Sequence, residues 1–330
     1  MYMRAHTIMN GFGRFGLHMS NYYLDNHKSR TFDLIAINDE KLTISEMVNA
    51  IKNDRFVRIT DLFSLRQEDH SVYFSHQQFE FKIEFYNLPI QNFVKLGKFQ
   101  LLECSGRYTD VAKFPNAPKL ERIYISATSL SADRTVIVGL DRLPILNKEK
   151  FISYGSCTVN AFVPLANSLN LHFGVKNADV NVIHNLPEYQ LKNSPEIFER
   201  RGCTLAFMGP KLLNFLNSNN FNVNYTIVPM SGVSRIDFRF ELESKFEISD
   251  VIKVISMIKN YAGDYLYNTL EFDLGPNSAL MSKYSAEIIL EQSRKVDKHL
   301  YLSAYFDTEN SVNRFYDLVN TESGYIGEQS

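Results

Sequence analysis

At 330 residues the chain has room for two domains and a substantial core. Apolar residues make up 45% and charged residues 22%, the ordinary balance of a globular protein. A formal net charge of −2 gives no reason to invoke nucleic acid or a membrane surface as partner, and no apolar run reaches the ~18 residues of a membrane span.

In chain order, Thr7-Ile8-Met9-Asn10 is predicted as a short strand running into Gly11-Phe12-Gly13-Arg14-Phe15-Gly16. This is G-x-G-x-x-G, and a helix-compatible stretch, Leu17 to Leu24, follows it. A second apolar run, Leu34 to Ile37, ends in Asn38-Asp39, with the acid about 20 residues past the glycines, as a dinucleotide-binding unit requires. Gly11 allows the tight turn, Gly13 a close approach to pyrophosphate, and Gly16 close packing of helix on strand. The helix N-terminus favours phosphate. Asp39 accepts hydrogen bonds from an adenosine ribose and repels a 2′-phosphate, so NAD is expected over NADP. Val72 to Leu88 alternates like an antiparallel excursion. Phe99 to Cys104, Ile123 to Ile125 and Thr135 to Gly139 are predicted as further strands of a mostly parallel sheet.

Ser156-Cys157-Thr158-Val159-Asn160 opens the second half, with a helical repeat through Phe162, Val163, Ala166, Leu169 and Leu171. A cysteine at a helix N-terminus meets unpaired N–H groups and the positive dipole end, which favour thiolate. Strand residues Val180 to Ile183 then lead to His184, 27 residues after Cys157. A histidine beside a thiol accepts or donates its proton. By themselves these residue types fit a buried structural cysteine and an unrelated core histidine more readily; the dinucleotide unit upstream is the context that favours thiol chemistry. Asn224 to Val228 and Ser234 to Glu243 are predicted strands, Ser249 to Tyr261 a helix, and Ser311 to Val319 a final helix. The polar tail Asn320 to Ser330 is expected to be mobile. The other histidines are scattered, and the three cysteines, Cys104, Cys157 and Cys203, show no zinc spacing. An odd, sparse set of cysteines, with no long apolar leader, points to a reducing cytoplasm.

Taken in order, these motifs resemble the glyceraldehyde-3-phosphate dehydrogenase family over nearly the whole chain. Asn10 to Gly16 is similar to its opening fingerprint, and Ala36-Ile37-Asn38-Asp39 to its ribose-binding strand end. Glu103-Cys104-Ser105-Gly106 is similar to its Glu-Ser-Thr-Gly segment, and Arg122 to Ala127, with Ser126, to the following strand. Ser156 to Asn160 and His184 resemble the nucleophile motif and its base. Phe306-Asp307-Thr308-Glu309 and Asn313-Arg314 echo the C-terminal elements. The resemblance implies a Rossmann-type NAD-binding domain (1–152), an α+β catalytic domain with a mostly antiparallel sheet (153–310), and a C-terminal helix (311–330) returning to the first. It implies that Cys157 attacks an aldehyde, His184 acts as general base, NAD+ takes the hydride, and phosphate or water releases the thioester. Ser156 and Thr158 would form part of the attacking-phosphate site. A homotetramer is implied, with a dimer as the alternative.

Departures from the family pattern point to a changed substrate. Ile227 replaces the arginine before Val-Pro, Pro187 a phosphate-binding threonine, and Phe207-Met208-Gly209 the Ser-Thr-Gly turn, of which Gly209 alone remains. Each lost charge-assisted bond costs roughly 1.5–3 kcal/mol. Arg200, Arg201 or Arg235 are the candidates to compensate. Thr308, or Asp307 without a gap, stands where an asparagine fixes the nicotinamide. The expected substrate is therefore an unphosphorylated or bulkier aldehyde; the alternative is a non-catalytic family member with a regulatory or binding role.

Overall fold

The computed structural model describes residues 4–97, 99–141, 144–186, 191, 198–230, 232–306 and 308–329, the side chains of 308–310 and 326–329 excepted. The chain forms two compact units. One takes the chain up to Val136, the stretch ending at Gly155 and the C-terminal part from Phe315; the other takes Ile137–Asp141 and Ser156–Arg314.

In the first unit the described strands are β1 (Ala5–Asn10), β2 (Phe32–Asn38), β3 (Ser64–Glu68), β4 (Ser71–His76), β5 (Phe79–Tyr86), β6 (Gln100–Glu103), β7 (Arg122–Ile125), β8 (Arg134–Thr135) and β9 (Phe151–Ser153). They form one sheet in the order β3-β4-β5-β2-β1-β6-β7-β9-β8. The pairings from β5 through β8 are parallel, whereas β3, β4 and β5 pair antiparallel, as the alternation from Val72 predicts. Every residue of β6 and β7 is buried, which is why these strands read as unbroken runs. Ile8, Leu101, Ile123 and Phe93 close the core on one face. Helix α1 (Arg14–Asp25) follows β1, and α2 (Ile44–Asn53), α3 (Ile59–Leu62) and α4 (Ile90–Phe93) complete the early helices.

Two expectations change here. The run Thr135 to Gly139 is a strand only at its first residue. Beyond it, Ile137 accepts from the backbone N–H of Leu140 and Asp141 in a turn whose entry, Val136 to Val138, is buried. A short apolar run has no period by which strand and buried turn can be told apart. The tail is not loose either. The last helix spans Thr308–Gln329, the Thr31 N–H donates to Asn320 Oδ1 at 2.8 Å, Gln100 donates to Ser323 Oγ at 2.8 Å, and Glu322 accepts from the Ile145 N–H at 2.9 Å. Polar residues with buried partners look like a solvated tail in sequence.

In the second unit α5 (Cys157–Phe173) precedes β10 (Val175–His184), β11 (Glu199–Arg200), α6 (Leu205–Leu212), β12 (Phe221–Ile227), β13 (Ser234–Leu242), α7 (Ile248–Ile255), β14 (Tyr267–Leu270), β15 (Ala286–Val296) and β16 (His299–Phe306), with the final helix counted as α8. The sheet runs β11-β12-β10-β13-β16-β15-β14; only β10–β12 and β14–β15 pair parallel. Helix α7 ends six residues before the predicted Tyr261, in turns around Met257 and Gly263. Phe162 of α5 stacks on Phe221 at 5.2 Å and on Phe240 at 5.8 Å between ring centroids, fixing the helix on one sheet face. Aromatic pairs of this kind add about 0.5–1.5 kcal/mol beyond area burial.

Pro164 interrupts α5, since it lacks an N–H and crowds the carbonyl four residues back. The buried Tyr267 hydroxyl repairs the ladder. It accepts from the Leu165 N–H at 3.1 Å and donates to the Ala161 carbonyl at 3.0 Å. A long helix thereby survives its internal proline.

Candidate functional site

The first candidate constellation lies at the C-terminal ends of the parallel strands β1, β2, β6 and β7, where open α/β sheets bind ligands. The Gly11 N–H donates to the Asn38 carbonyl at 2.7 Å. Gly11 has φ +98°, and a Cβ there would lie 2.4 Å from the Ser105 N. A Cβ on Gly16 would meet the Gly11 carbonyl at 2.0 Å, so α1 needs glycine to pack this close. A Cβ on Gly13, at the start of α1, meets nothing within 4 Å, which leaves an open cradle at a helix N-terminus. Asp39 Oδ2 accepts from the Phe12 N–H at 2.8 Å, while Oδ1 accepts from the N–H groups of Lys41 and Leu42 at 2.8 and 3.0 Å. The acid thus ties the glycine turn to the end of β2. Arg14 opens α1, and Phe15 meets Tyr154 and Phe315 edge-on.

Two residues expected to contact cofactor, Asn38 and Ser105, spend their side chains on bonds within the protein. Asn38 is fully buried; its amide donates to Asn10 Oδ1 at 2.9 Å and to the Leu88 carbonyl at 3.0 Å, and its Oδ1 accepts from the Leu88 N–H at 2.9 Å. The Ser105 hydroxyl donates to Glu103 and accepts from the Arg107 N–H at 3.2 Å. Glu103 also accepts from Asn10 Nδ2 and the Ser105 N–H, each at 2.8 Å. Burial pushes its carboxyl up to about 7, partly offset by these bonds. Gly106, with φ +70°, turns the chain after β6, and Ser126 follows β7, its N–H donating to the Glu103 carbonyl at 3.0 Å.

The second constellation is in the other unit. A turn at Gly174, φ +70°, folds β10 back along α5. Seventeen helical residues span about 25 Å, and the ten strand residues about 33 Å. The start of the helix therefore meets the end of the strand. Cys157 Sγ stands 3.5 Å from His184 Nε2. His184 Nδ1 lies 2.7 Å from the Asn185 carbonyl, which accepts only if Nδ1 carries the proton. Nε2 is then the acceptor that faces the thiol. The Asn185 side chain is itself held, accepting from Ser234 Oγ at 2.8 Å and donating to the Gly232 carbonyl. Ser156 caps α5, its hydroxyl accepting from the Val159 N–H, and that hydroxyl also lies 3.2 Å from Thr158 Oγ1 and 2.9 Å from Thr204 Oγ1. Thiol, imidazole, three hydroxyls and a helix N-terminus converge there.

No protein-family model matches the chain. It is similar to the glyceraldehyde-3-phosphate dehydrogenase of Xanthobacter flavus, 26% identical over 211 residues, which is 56% of this chain and 61% of that protein. The enzyme of the same name from Lactobacillus delbrueckii subsp. bulgaricus is 27% identical over 179 residues, 53% of this chain and 52% of that one. The chain is a distant relative of glyceraldehyde-3-phosphate dehydrogenase. It spans about half the length of the curated relatives it matches. The two-unit α/β architecture agrees with a glyceraldehyde-3-phosphate dehydrogenase-like fold.

Against that likeness to glyceraldehyde-3-phosphate dehydrogenase, two substrate-site expectations fall. Gly209 lies inside α6, where a Cβ would meet the Phe221 ring at 2.6 Å; its role is close packing, not an anion-binding turn. Arg235 pairs in register with Ile183, the neighbour of His184, and so points to the opposite sheet face. There it donates to Asp237, Gln292 and Ser303 at 3.1, 2.6 and 3.1 Å, beside a cavity of about 470 Å³. Arg200 donates to Asn224, and Arg201 makes a two-pronged pair with Glu199, so neither is committed to the thiol. Ile227 does sit at the site, directly across from His184 and buried. Pro187 and Asp307 lie outside the described residues, as does the side chain of Thr308.

Sequence reasoning missed Thr204 and Tyr225. Thr204 starts α6 without using its side chain as a cap, which leaves the hydroxyl to Ser156. Its signal was the Gly-Cys-Thr run ahead of a helix. Tyr225 shares a β12 face with Ile227, and its ring lies 5.4 Å from the His184 ring; Phe306 meets the same imidazole edge-on at 5.8 Å. Among the described residues no helix is long and apolar enough to cross a membrane, and no cluster of His, Cys, Asp and Glu is arranged to hold a metal.

Proposed function

We propose that this chain is an NAD-dependent aldehyde oxidoreductase working through a covalent cysteine intermediate. The observation that carries the reading is the 3.5 Å approach of His184 Nε2 to Cys157 Sγ at the N-terminus of a long helix, with the tautomer set by the Asn185 carbonyl. His184 takes the thiol proton, the sulfur attacks the aldehyde carbon, and His184 returns that proton to the carbonyl oxygen to give a thiohemiacetal. His184 then accepts the proton of the thiohemiacetal hydroxyl as the carbonyl re-forms, leaving a thioester on Cys157. NAD+, when bound, supplies the hydride acceptor. Gly11 to Gly16 would hold its pyrophosphate, Asp39 its ribose, and Ser126 would face its nicotinamide half. The open cradle over Gly13 fits such a group. Ser156, Thr158 and Thr204 ring the attacking position and would orient the water or inorganic phosphate that releases the acyl group.

Ile227, buried beside His184, supports an aldehyde without a phosphate ester near the base. A homotetramer, with a dimer as alternative, and a cytoplasmic setting belong to the same proposal. Calorimetric titration with NAD+ and NADP+ is the first test, followed by an aldehyde screen with Cys157→Ser as control. Saturable NAD+ binding, weakened by Asp39→Ala, is expected. No binding of either nucleotide to folded protein overturns the assignment and leaves a repurposed scaffold.

A further inference from the structure

Tyr225 is an aromatic residue whose ring lies against the proposed base. It stands on β12 two residues before Ile227, so both side chains leave the strand on the face that carries His184. The ring packs against the imidazole, tilted by 37°. Burial pushes the phenol well above its ordinary value, and the thiols of Cys157 and Cys203 add to the effect, which puts the hydroxyl within electrostatic reach of the nucleophile. Arg201 is the cation in reach, and its charge is matched by Glu199. Among the described residues the Tyr225 hydroxyl has no hydrogen-bond partner. Tyr225 is only half-buried, so its hydroxyl stays free to donate to an acceptor on a bound substrate.

We infer that Tyr225 is a specificity-determining residue whose hydroxyl binds an uncharged, hydroxyl-bearing aldehyde tail that runs along Ile227. This rests on the aldehyde oxidoreductase reading and names its substrate class. An aldehyde carbon bonded to Cys157, with its oxygen directed to His184, would have β12, the strand paired with β10, beside it. On that strand the apolar Ile227 offers no counter-charge, and Tyr225 offers one neutral donor. A neutral acceptor on the substrate satisfies that donor without burying an unmatched charge.

The test compares Tyr225→Phe with the unaltered protein on D-glyceraldehyde and propionaldehyde, which differ in their hydroxyls, with NAD+ at saturation. The expected result is a KM for D-glyceraldehyde raised about tenfold relative to the KM for propionaldehyde, the range of one neutral hydrogen bond. A structural role for Tyr225 would move both aldehydes alike. Equal effects on both, or on neither, overturn this inference and leave the aldehyde reading standing. Failure of the unaltered protein to oxidise either aldehyde or any other of a broad panel overturns that reading and this inference with it.

Discussion

Cys157 Sγ and His184 Nε2 stand 3.5 Å apart although 27 positions separate them. The pairing follows because β10 folds back along α5 at the turn of Gly174, which brings the end of the strand toward the start of the helix. It gives the thiol an imidazole as partner, where Cys203 Sγ has the Thr158 hydroxyl at 3.6 Å. Burial pushes the thiol of Cys104 far up and that of Cys203 up as well. With iodoacetamide at pH 7, peptide mass spectrometry should find Cys157 labelled more than about tenfold faster than either, since thiolate is the reactive form. His184→Ala should remove most of that advantage. Equal, slow labelling of all three would favour a non-catalytic role.

Gly11 and Gly13 separate fold from binding. Gly11→Ala places a Cβ 2.4 Å from the Ser105 backbone at positive φ, so it should lower the denaturation midpoint markedly. Gly13→Ala meets no protein atom within 4 Å and should cost about 1 kcal/mol or less as an altered N-cap. The same change should nonetheless weaken NAD+ binding, because the methyl group enters the space assigned to pyrophosphate. Calorimetry and thermal denaturation on both variants check the contrast.

Glu103 makes stability depend on pH. Its carboxyl rises from 4.5 to about 7 on folding, because burial penalises the charge. Between these values the unfolded chain releases a proton that the native state keeps. The stabilising contribution is therefore full below about pH 4.5 and lost as pH rises through about 7, an effect on the order of 3 kcal/mol. Urea titrations between pH 5 and 8 should show this slope, and Glu103→Gln should flatten it.

Tyr267→Phe deletes the hydroxyl that bridges the Leu165 N–H and the Ala161 carbonyl beside Pro164. Two buried backbone groups then lose their partner, a loss of about 1–3 kcal/mol for each group left unsatisfied. Chemical denaturation measures the loss. Because α5 carries Cys157 at its first position, alkylation of Cys157 should also become less selective.

Much of the fold was legible in the residues alone. The glycine spacing, the acid after Ile37, the strand periodicity and the helical repeat after Cys157 are local patterns, each carrying a backbone requirement that sequence displays directly. The Cys157 and His184 pair was legible as two candidates, and the architecture of both sheets followed from alternation. Tertiary structure decided what depends on which face a strand turns and what a polar group meets. Arg235 and Ile183 share one face of the second sheet and His184 the other, a one-residue parity that a list of candidate cations cannot weigh. Asn38 and Ser105 carry ligand-binding residue types, yet the Asn38 amide is taken by Asn10 and Leu88, far away in the chain, and the Ser105 hydroxyl by Glu103, whose carboxyl is in turn held by Asn10. Thr204 reaches Ser156 and Tyr225 reaches His184 only because α6 and β12 pack beside α5 and β10. Local periodicity fixes secondary structure through short-range sterics, whereas a site is a coincidence of distant side chains that only packing enforces.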